Sequence, residues 1–282
     1  MIDQKQNSIG ALLSVGITTK GRLDELRETL GILQNSELQA CNIILIDDGG
    51  SGEFVEEGDY ELDLSIHRYE ESKGLVARRN ELAKLCQTKY IMSLDDDSAP
   101  ESGSIIDVLK VVESDDRVAT IALNLYNSDN KPVDADSTNY ESRYFVGCGH
   151  IHDVAVFEKL GGYNGDLLYG HEEREYALKL AKVGMKIIHM SNYVVKHRKS
   201  AINRVVGYNP RPSRNLGWVN GTYFGIIPNM VEIYSFLKGK KTHQILPCLK
   251  DYIRGLTESS DASKLSFFQY CKWKRKKTPT VA

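Results

Sequence analysis

The sequence predicts an α/β fold: a mixed, mostly parallel sheet flanked by helices, with a helical C-terminal extension. Three observations lead there. Apolar, strand-like runs alternate with helix-spaced segments from Leu12 to Leu125. Several of these runs lack polar alternation, as expected of strands buried on both faces. Three of them end in polar groups, at Thr18-Thr19, Asp47-Asp48 and Asp95-Asp96-Asp97. Open α/β sheets bind their ligands at such strand ends.

The elements follow in order. Leu12 to Thr19 reads as a strand that ends at Lys20-Gly21, and Leu23, Leu26, Leu30 and Leu33 have helical spacing. Ile43 to Ile46 is a short buried strand, and Leu64 to Tyr69 is another. A helix is expected over Leu75 to Leu85, then a strand over Tyr90 to Leu94 that stops at the three aspartates. Ser104 to Val112 is helical and Val118 to Leu125 a strand. After Asn127 the pattern loosens. Tyr144 to Val146 and Val154 to Phe157 read as short strands, followed by a Gly161-Gly162 turn. A helix starts at His171-Glu172-Glu173 and is ended by Gly184. Lys186 to Met190 and Tyr193 to Val195 read as two further strands. Strand–helix alternation with right-handed crossovers brings the polar strand ends into one crevice.

Bulk properties narrow the function. The 282 residues suit one large domain, or one domain with an appendage. The formal net charge of -2 argues against a nucleic-acid partner. Five cysteines without metal-ligand spacing suggest reduced thiols and a cytoplasmic setting. The polar stretch Met1 to Gly10 lacks the apolar run of a signal peptide. The uncharged stretch between Arg214 and Glu232 is too polar and broken to span a membrane.

Each motif carries two readings on its own. Asp95-Asp96-Asp97 is either a solvated acidic turn or a hard-cation site, since adjacent carboxylates resist burial without compensation. Asp47-Asp48-Gly49-Gly50 is either a turn or an acceptor for a base N–H or a ribose hydroxyl. Arg78 and Arg79 sit early in a helix, where cations oppose the dipole; they imply an anionic partner or a surface ion pair. Acids at Glu172-Glu173 suit a helix start without any function, or supply a general base. His197 is either an ordinary histidine or a metal ligand.

Taken in order, these segments resemble family 2 glycosyltransferases of the GT-A, Rossmann-like nucleotide-diphospho-sugar transferase fold. The matching residues are Ser14 to Thr19, Ile46 to Ser51, Gly74 to Asn80, Ser93 to Asp97, Gly161 to Asn164, and Glu172-Glu173 through Gly184. The resemblance covers about residues 11 to 200. It implies that Thr18, Asp47 and Asp48 line the pocket for base and ribose, with Arg79 (or Arg78) near base or diphosphate. Asp95 and Asp97 take the places of the Asp-x-Asp motif, Asp95 near ribose and metal and Asp97 on the metal, with Asp96 between them either in the nucleotide site or structural. Glu172-Glu173 stands where the family has Glu-Asp, so either glutamate is the expected base, Glu173 first. His197 is implied as a further ligand of Mn²⁺ or Mg²⁺, or as a phosphate contact.

The implied activity is inverting transfer of a sugar, with a UDP-sugar the first expectation as donor, to a glycan or lipid-linked acceptor of polysaccharide assembly. Residues 1-200 are the expected transferase domain and 201-282 an acceptor-side extension. The tail combines Phe267, Phe268, Tyr270 and Trp273 with five Lys or Arg residues from Lys272 to Lys277. That composition suits peripheral contact with the inner face of the cell membrane, or a solvated disordered end. Two other readings remain: a non-catalytic nucleotide-sugar-binding protein, and a nucleotidyltransferase. The second is disfavoured because Thr18 to Arg22 is not a Gly-rich loop.

Overall fold

A computed structural model describes residues 9–127, 138–198, 209–238, 240–259 and 264–279. Among the described residues nine strands form one sheet: β1 (Leu13–Thr19), β2 (Asn42–Asp48), β3 (Asp63–Tyr69), β4 (Tyr90–Asp95), β5 (Ser98–Ser102), β6 (Val118–Asn127), β7 (Tyr140–Ser142), β8 (His150–Asp153) and β9 (Lys186–His197). Their order is β3-β2-β1-β4-β8-β6-β9-β5, with β7 also paired to β9. The β3-β2-β1-β4 half is parallel. In the other half β8 runs antiparallel to both β4 and β6, while β6 and β9 are parallel.

Why these residues form these elements is legible locally. Every residue of β1 and of β6 is buried, as their unalternating apolar runs require. Helix α1 (Leu23–Leu33) buries Leu26, Leu30 and Leu33 on one stripe against Leu13, Val15 and Ile17 of β1. Helix α2 (Leu75–Leu85) covers the opposite face of the sheet, where Leu82 packs with Ile44, Ile46 and Ile91. At Gly16 a Cβ would stand 2.9 Å from the Leu82 side chain, so this close approach requires glycine. Helix α3 (Ile105–Glu113) adds Ile105, Val108, Leu109 and Val112 to the α1 side of the core.

Four expectations are corrected. Tyr144 to Val146 is a loop; the strand in this region is β7, just upstream. Val154 to Phe157 is not a strand but the start of helix α4 (Val154–Lys159), because the Asp153 carboxylate accepts the Val156 N–H at 3.0 Å and caps it. The two strands expected between Lys186 and Val195 are one, β9. Its pairing with β6 jumps from Leu123–Met190 to Asn124–Val194, so the skipped residues form a bulge. Asn124 fills that bulge by donating to the Ser191 carbonyl at 2.9 Å. Strand β5, directly after the aspartates, was not expected at all.

Helix α5 (Glu172–Val183) runs to Gly184, whose φ of 79° gives the left-handed cap anticipated there. The chain then continues through β9. Four helices follow: α6 (Arg211–Tyr223), α7 (Ile226–Lys238), α8 (Thr242–Glu258) and α9 (Phe267–Arg275). Helices α6 and α8 touch backbone to backbone. A Cβ at Gly217 would fall 2.0 Å from the Tyr252 carbonyl oxygen, and one at Gly255 would fall 1.9 Å from that of Arg214. The tail is an ordered helix: Tyr270 and Trp273 are buried with Leu178, Val219 and Phe224, which leaves Phe267 and Phe268 exposed. The expected boundary at residue 200 lies outside the described residues. No helix among the described residues is long and apolar enough to cross a membrane.

Candidate active site

The sheet register brings the three polar strand ends side by side. Thr18 pairs with Asp95, and Thr19 with Asp47. The three aspartates then diverge. Asp96 turns inward and is fully buried, where its carboxylate accepts from Thr19 Oγ1 at 2.6 Å and from the Arg22 guanidinium. Burial pushes its carboxyl up to about 7, against the pull of Thr19 and Arg22. Its carbonyl accepts from Thr29 Oγ1 at 2.6 Å. Asp96 therefore braces the turn from inside, the structural one of the two roles expected of it.

Asp97 and Asp95 face the site. Asp97 offers Oδ2 to Arg22 Nη1 and Oδ1 to His197 Nε2, each at 3.1 Å. His197 arrives there because β5 pairs with β9, Ser98 opposite His197. Asp95 accepts from Arg79 Nη2 at 2.8 Å. A carboxylate oxygen of Asp95, Nε2 or Nδ1 of His197 and the Cys148 Sγ lie within 4.8 Å of one another. Carboxylate and imidazole donors converging at a strand end are a set that a divalent cation accepts.

Arg79 is the centre of the arrangement. It is buried, and besides Asp95 its guanidinium reaches Glu172 Oε1 at 3.4 Å and Glu173 Oε1 at 3.7 Å. Burial opposes its charge, but Asp95, Glu172 and Glu173 outweigh burial and hold it firmly protonated. Arg78 points elsewhere. It donates to Asp48 and Glu81, each at 2.6 Å, and its guanidinium lies 3.7 Å from the centre of the Tyr69 ring. That separates two arginines the sequence left interchangeable.

Glu172 and Glu173 begin α5 after two left-handed residues, Gly170 at φ 86° and His171 at φ 72°. This sharp entry aims the first turn at Arg79. Asn215 of α6 holds the entry loop by donating to the carbonyls of Leu167, Tyr169 and Gly170 at 2.7 to 3.0 Å. Burial, then repulsion from Glu172, push the Glu173 carboxyl up to about 8, against the attraction of Arg79. A half-buried carboxyl that takes up its proton this readily has the chemistry of a general base.

The expected base pocket is less open. Asp48 accepts from Ser72 Oγ, the N–H groups of Lys73 and Gly74, and Arg78 Nε, at 2.6 to 2.9 Å. Burial works against its charge, yet those donors hold its carboxyl below the usual range. Asp48 thus latches the loop that starts α2. Asp47 accepts from Arg68 Nε at 3.2 Å. Thr18 is buried at the end of β1.

Sequence reasoning missed Gly147 and Cys148, and placed Asn215 only within the acceptor-side extension. A Cβ at Gly147 would sit 2.3 Å from Glu173 Oε1 and 2.5 Å from Arg79 Nη1. The Gly147-Cys148-Gly149 run was the available signal, but its partners lie far away in the chain.

The profile of the family described as Glycosyl transferase family 2 matches residues 14–166. A relative from Bacillus subtilis (strain 168), the uncharacterized glycosyltransferase YwdF, is 25% identical over 183 residues, covering 60% of this chain and 68% of the relative. Among solved structures, GalNAc-T7 with UDP, GalNAc and Mn²⁺ superposes with a TM-score of 0.63 at 16% identity, over 86% of this chain and 55% of that one. S. aureus TarS 1-349 in complex with UDP-GlcNAc gives a TM-score of 0.63 at 13% identity, over 87% and 81%. The chain thus spans little more than half the length of the GalNAc-T7 chain. At these identities the structural likeness speaks for the GT-A architecture.

Proposed function

The chain belongs to glycosyl transferase family 2, and from that premise we propose that it transfers a sugar from a nucleoside-diphosphate donor to a hydroxyl acceptor, with inversion at the anomeric carbon. The observation that carries this reading is the position of Arg79. One guanidinium touches both Asp95, on the donor side, and the Glu172-Glu173 pair at the start of α5. Phosphate recognition and proton removal would then flank a single reaction volume.

In this reading Asp95, Asp97 and His197 hold the divalent cation, and the imidazole inclines the choice towards Mn²⁺ over Mg²⁺. When bound, the cation supplies charge neutralisation to a leaving diphosphate. Arg79 adds a fixed positive charge beside the same oxygens. Glu173 takes the proton from the acceptor hydroxyl as that oxygen attacks. Direct displacement needs this one base, whereas a hydrolytic glycosidase needs two carboxyl groups flanking the bond. Thr18 and Asp47 line the nucleotide side.

The division of labour is part of the proposal: residues 1-200 carry donor chemistry and 201-282 the acceptor side. The Asn215 contacts to the loop before α5 support it, since they tie that extension to the base. UDP-sugars are the proposed donors, in keeping with the UDP and UDP-GlcNAc of the two similar structures. A mass-spectrometric screen of UDP-, GDP- and dTDP-sugars tests the reading. Release of the nucleoside diphosphate from one donor class is expected with Mn²⁺ present. Release from none, with the donors intact, contradicts it.

A further inference from the structure

Helix α7 carries an apolar face that nothing among the described residues covers. Ile226, Ile227, Met230 and Tyr234 are 81%, 64%, 66% and 68% exposed. Their spacing places them on one side of the helix. The opposite side is firmly held. Glu232 is buried and accepts from Arg174 Nη2 at 2.9 Å, Tyr270 Oη at 2.9 Å and Lys274 Nζ at 2.6 Å. Helix α7 is thus bolted to α5 and α9 with its apolar face outward. Helix α8 lies beside it through the stacked rings of Phe236 and Tyr252, 5.5 Å apart, and exposes Leu246 and Ile253.

The charges around this face select its occupant. Lys238 and Lys241 are exposed at the end of α7 and the turn into α8, and Lys240 lies over the Phe236 ring. Between Ile226 and Glu258 the chain has five Lys or Arg residues and three acids. Of those acids, Glu232 is buried in the bolt, Glu258 is paired with Arg214 and Arg254, and Asp251 is half-buried on α8. The exposed lysines thus flank the apolar face at the C-terminal end of α7. An anionic bilayer answers both features, apolar residues entering the acyl boundary and lysines meeting the headgroups.

We propose that α7, with Lys238, Lys240 and Lys241, is an in-plane docking surface for an anionic lipid bilayer. The tail helix α9 buries Tyr270 and Trp273 and exposes Phe267 and Phe268, so its apolar face is smaller than that of α7. Arg174, which holds Glu232, directly follows Glu173, so docking would fix the orientation of α5 to the membrane. The surface stands independently of the assignments made for the metal and the base.

The test is co-sedimentation of the full chain with vesicles of phosphatidylcholine plus phosphatidylglycerol, and with phosphatidylcholine alone. The protein is expected to pellet with the anionic vesicles and to be released by salt. The double variant Ile227→Asp and Met230→Asp should lose on the order of tenfold or more in partitioning. Lys238→Glu with Lys241→Glu should lose the preference for anionic lipid. Circular dichroism melting checks that these exposed substitutions leave the fold intact. Protein that stays in the supernatant with both vesicle types overturns the proposal, as does a folded double variant that pellets like the wild type. A wild-type dimer that this variant splits, seen by light scattering, assigns the face to a second copy and also overturns it.

Discussion

Glu173 stands in surroundings that favour its proton, and the proposed role requires it to lose that proton. With its carboxyl pushed up to about 8, the fraction of active base grows as the pH rises through that value. The rate of transfer should therefore climb between roughly pH 7 and 9 in a pH–rate profile. Glu173→Gln should retain nucleotide binding and lose on the order of 10²- to 10⁴-fold in kcat, with the climb abolished. If Glu172→Gln alone produces that loss, the base is one residue earlier. The same shift acts on stability. The folded-state value lies above the ordinary 4.5, so the contribution of this group is fully present below about 4.5 and is lost as the pH rises through about 8. Arg79 limits that loss by pairing with the ionised form.

At the scale of elements, Glu232 is the residue that fixes the C-terminal helices to the transferase core. Burial disfavours its charge, but Arg174, Lys274 and Tyr270 outweigh burial and hold its carboxyl low. Glu232→Ala leaves Arg174 and Lys274 without their shared partner, at a cost of about 3 kcal/mol. Thermal unfolding should shift down by roughly 5 to 10 °C, with Glu232→Gln intermediate. An unchanged melting temperature would show that α7 is held by packing alone. Elements of this kind were unevenly legible in the sequence. Helices α1 and α2 could be placed residue for residue, because leucines at helical spacing and the flanking glycines mark them locally. Val154 to Phe157 could not, since the deciding contact is a single Asp153 cap beneath a β-branched run. Nor could the β9 bulge, which is set by its partner strand β6.

Across the whole molecule, the order of motifs was readable while their division of labour was not. Asp95, Asp96 and Asp97 are neighbours in sequence, yet the sheet sends Asp96 inward to Arg22 and leaves the outer two to meet Arg79 and His197. Asp48 carries a binding motif but is taken up by its own loop. Gly147 and Asn215 act through contacts with residues many positions away, where local pattern is silent. The apolar exposed face of α7 likewise becomes visible only when its other side is seen bolted down. The central proposal is a cation-dependent nucleotide site at the end of β4. Isothermal titration of UDP, GDP and dTDP into the protein, with Mn²⁺ and then with EDTA, tests it most directly. At least one nucleotide should bind with Mn²⁺, and EDTA or Asp97→Ala should weaken its binding at least tenfold. Binding of none of them, or binding unchanged by both EDTA and the substitution, would contradict it.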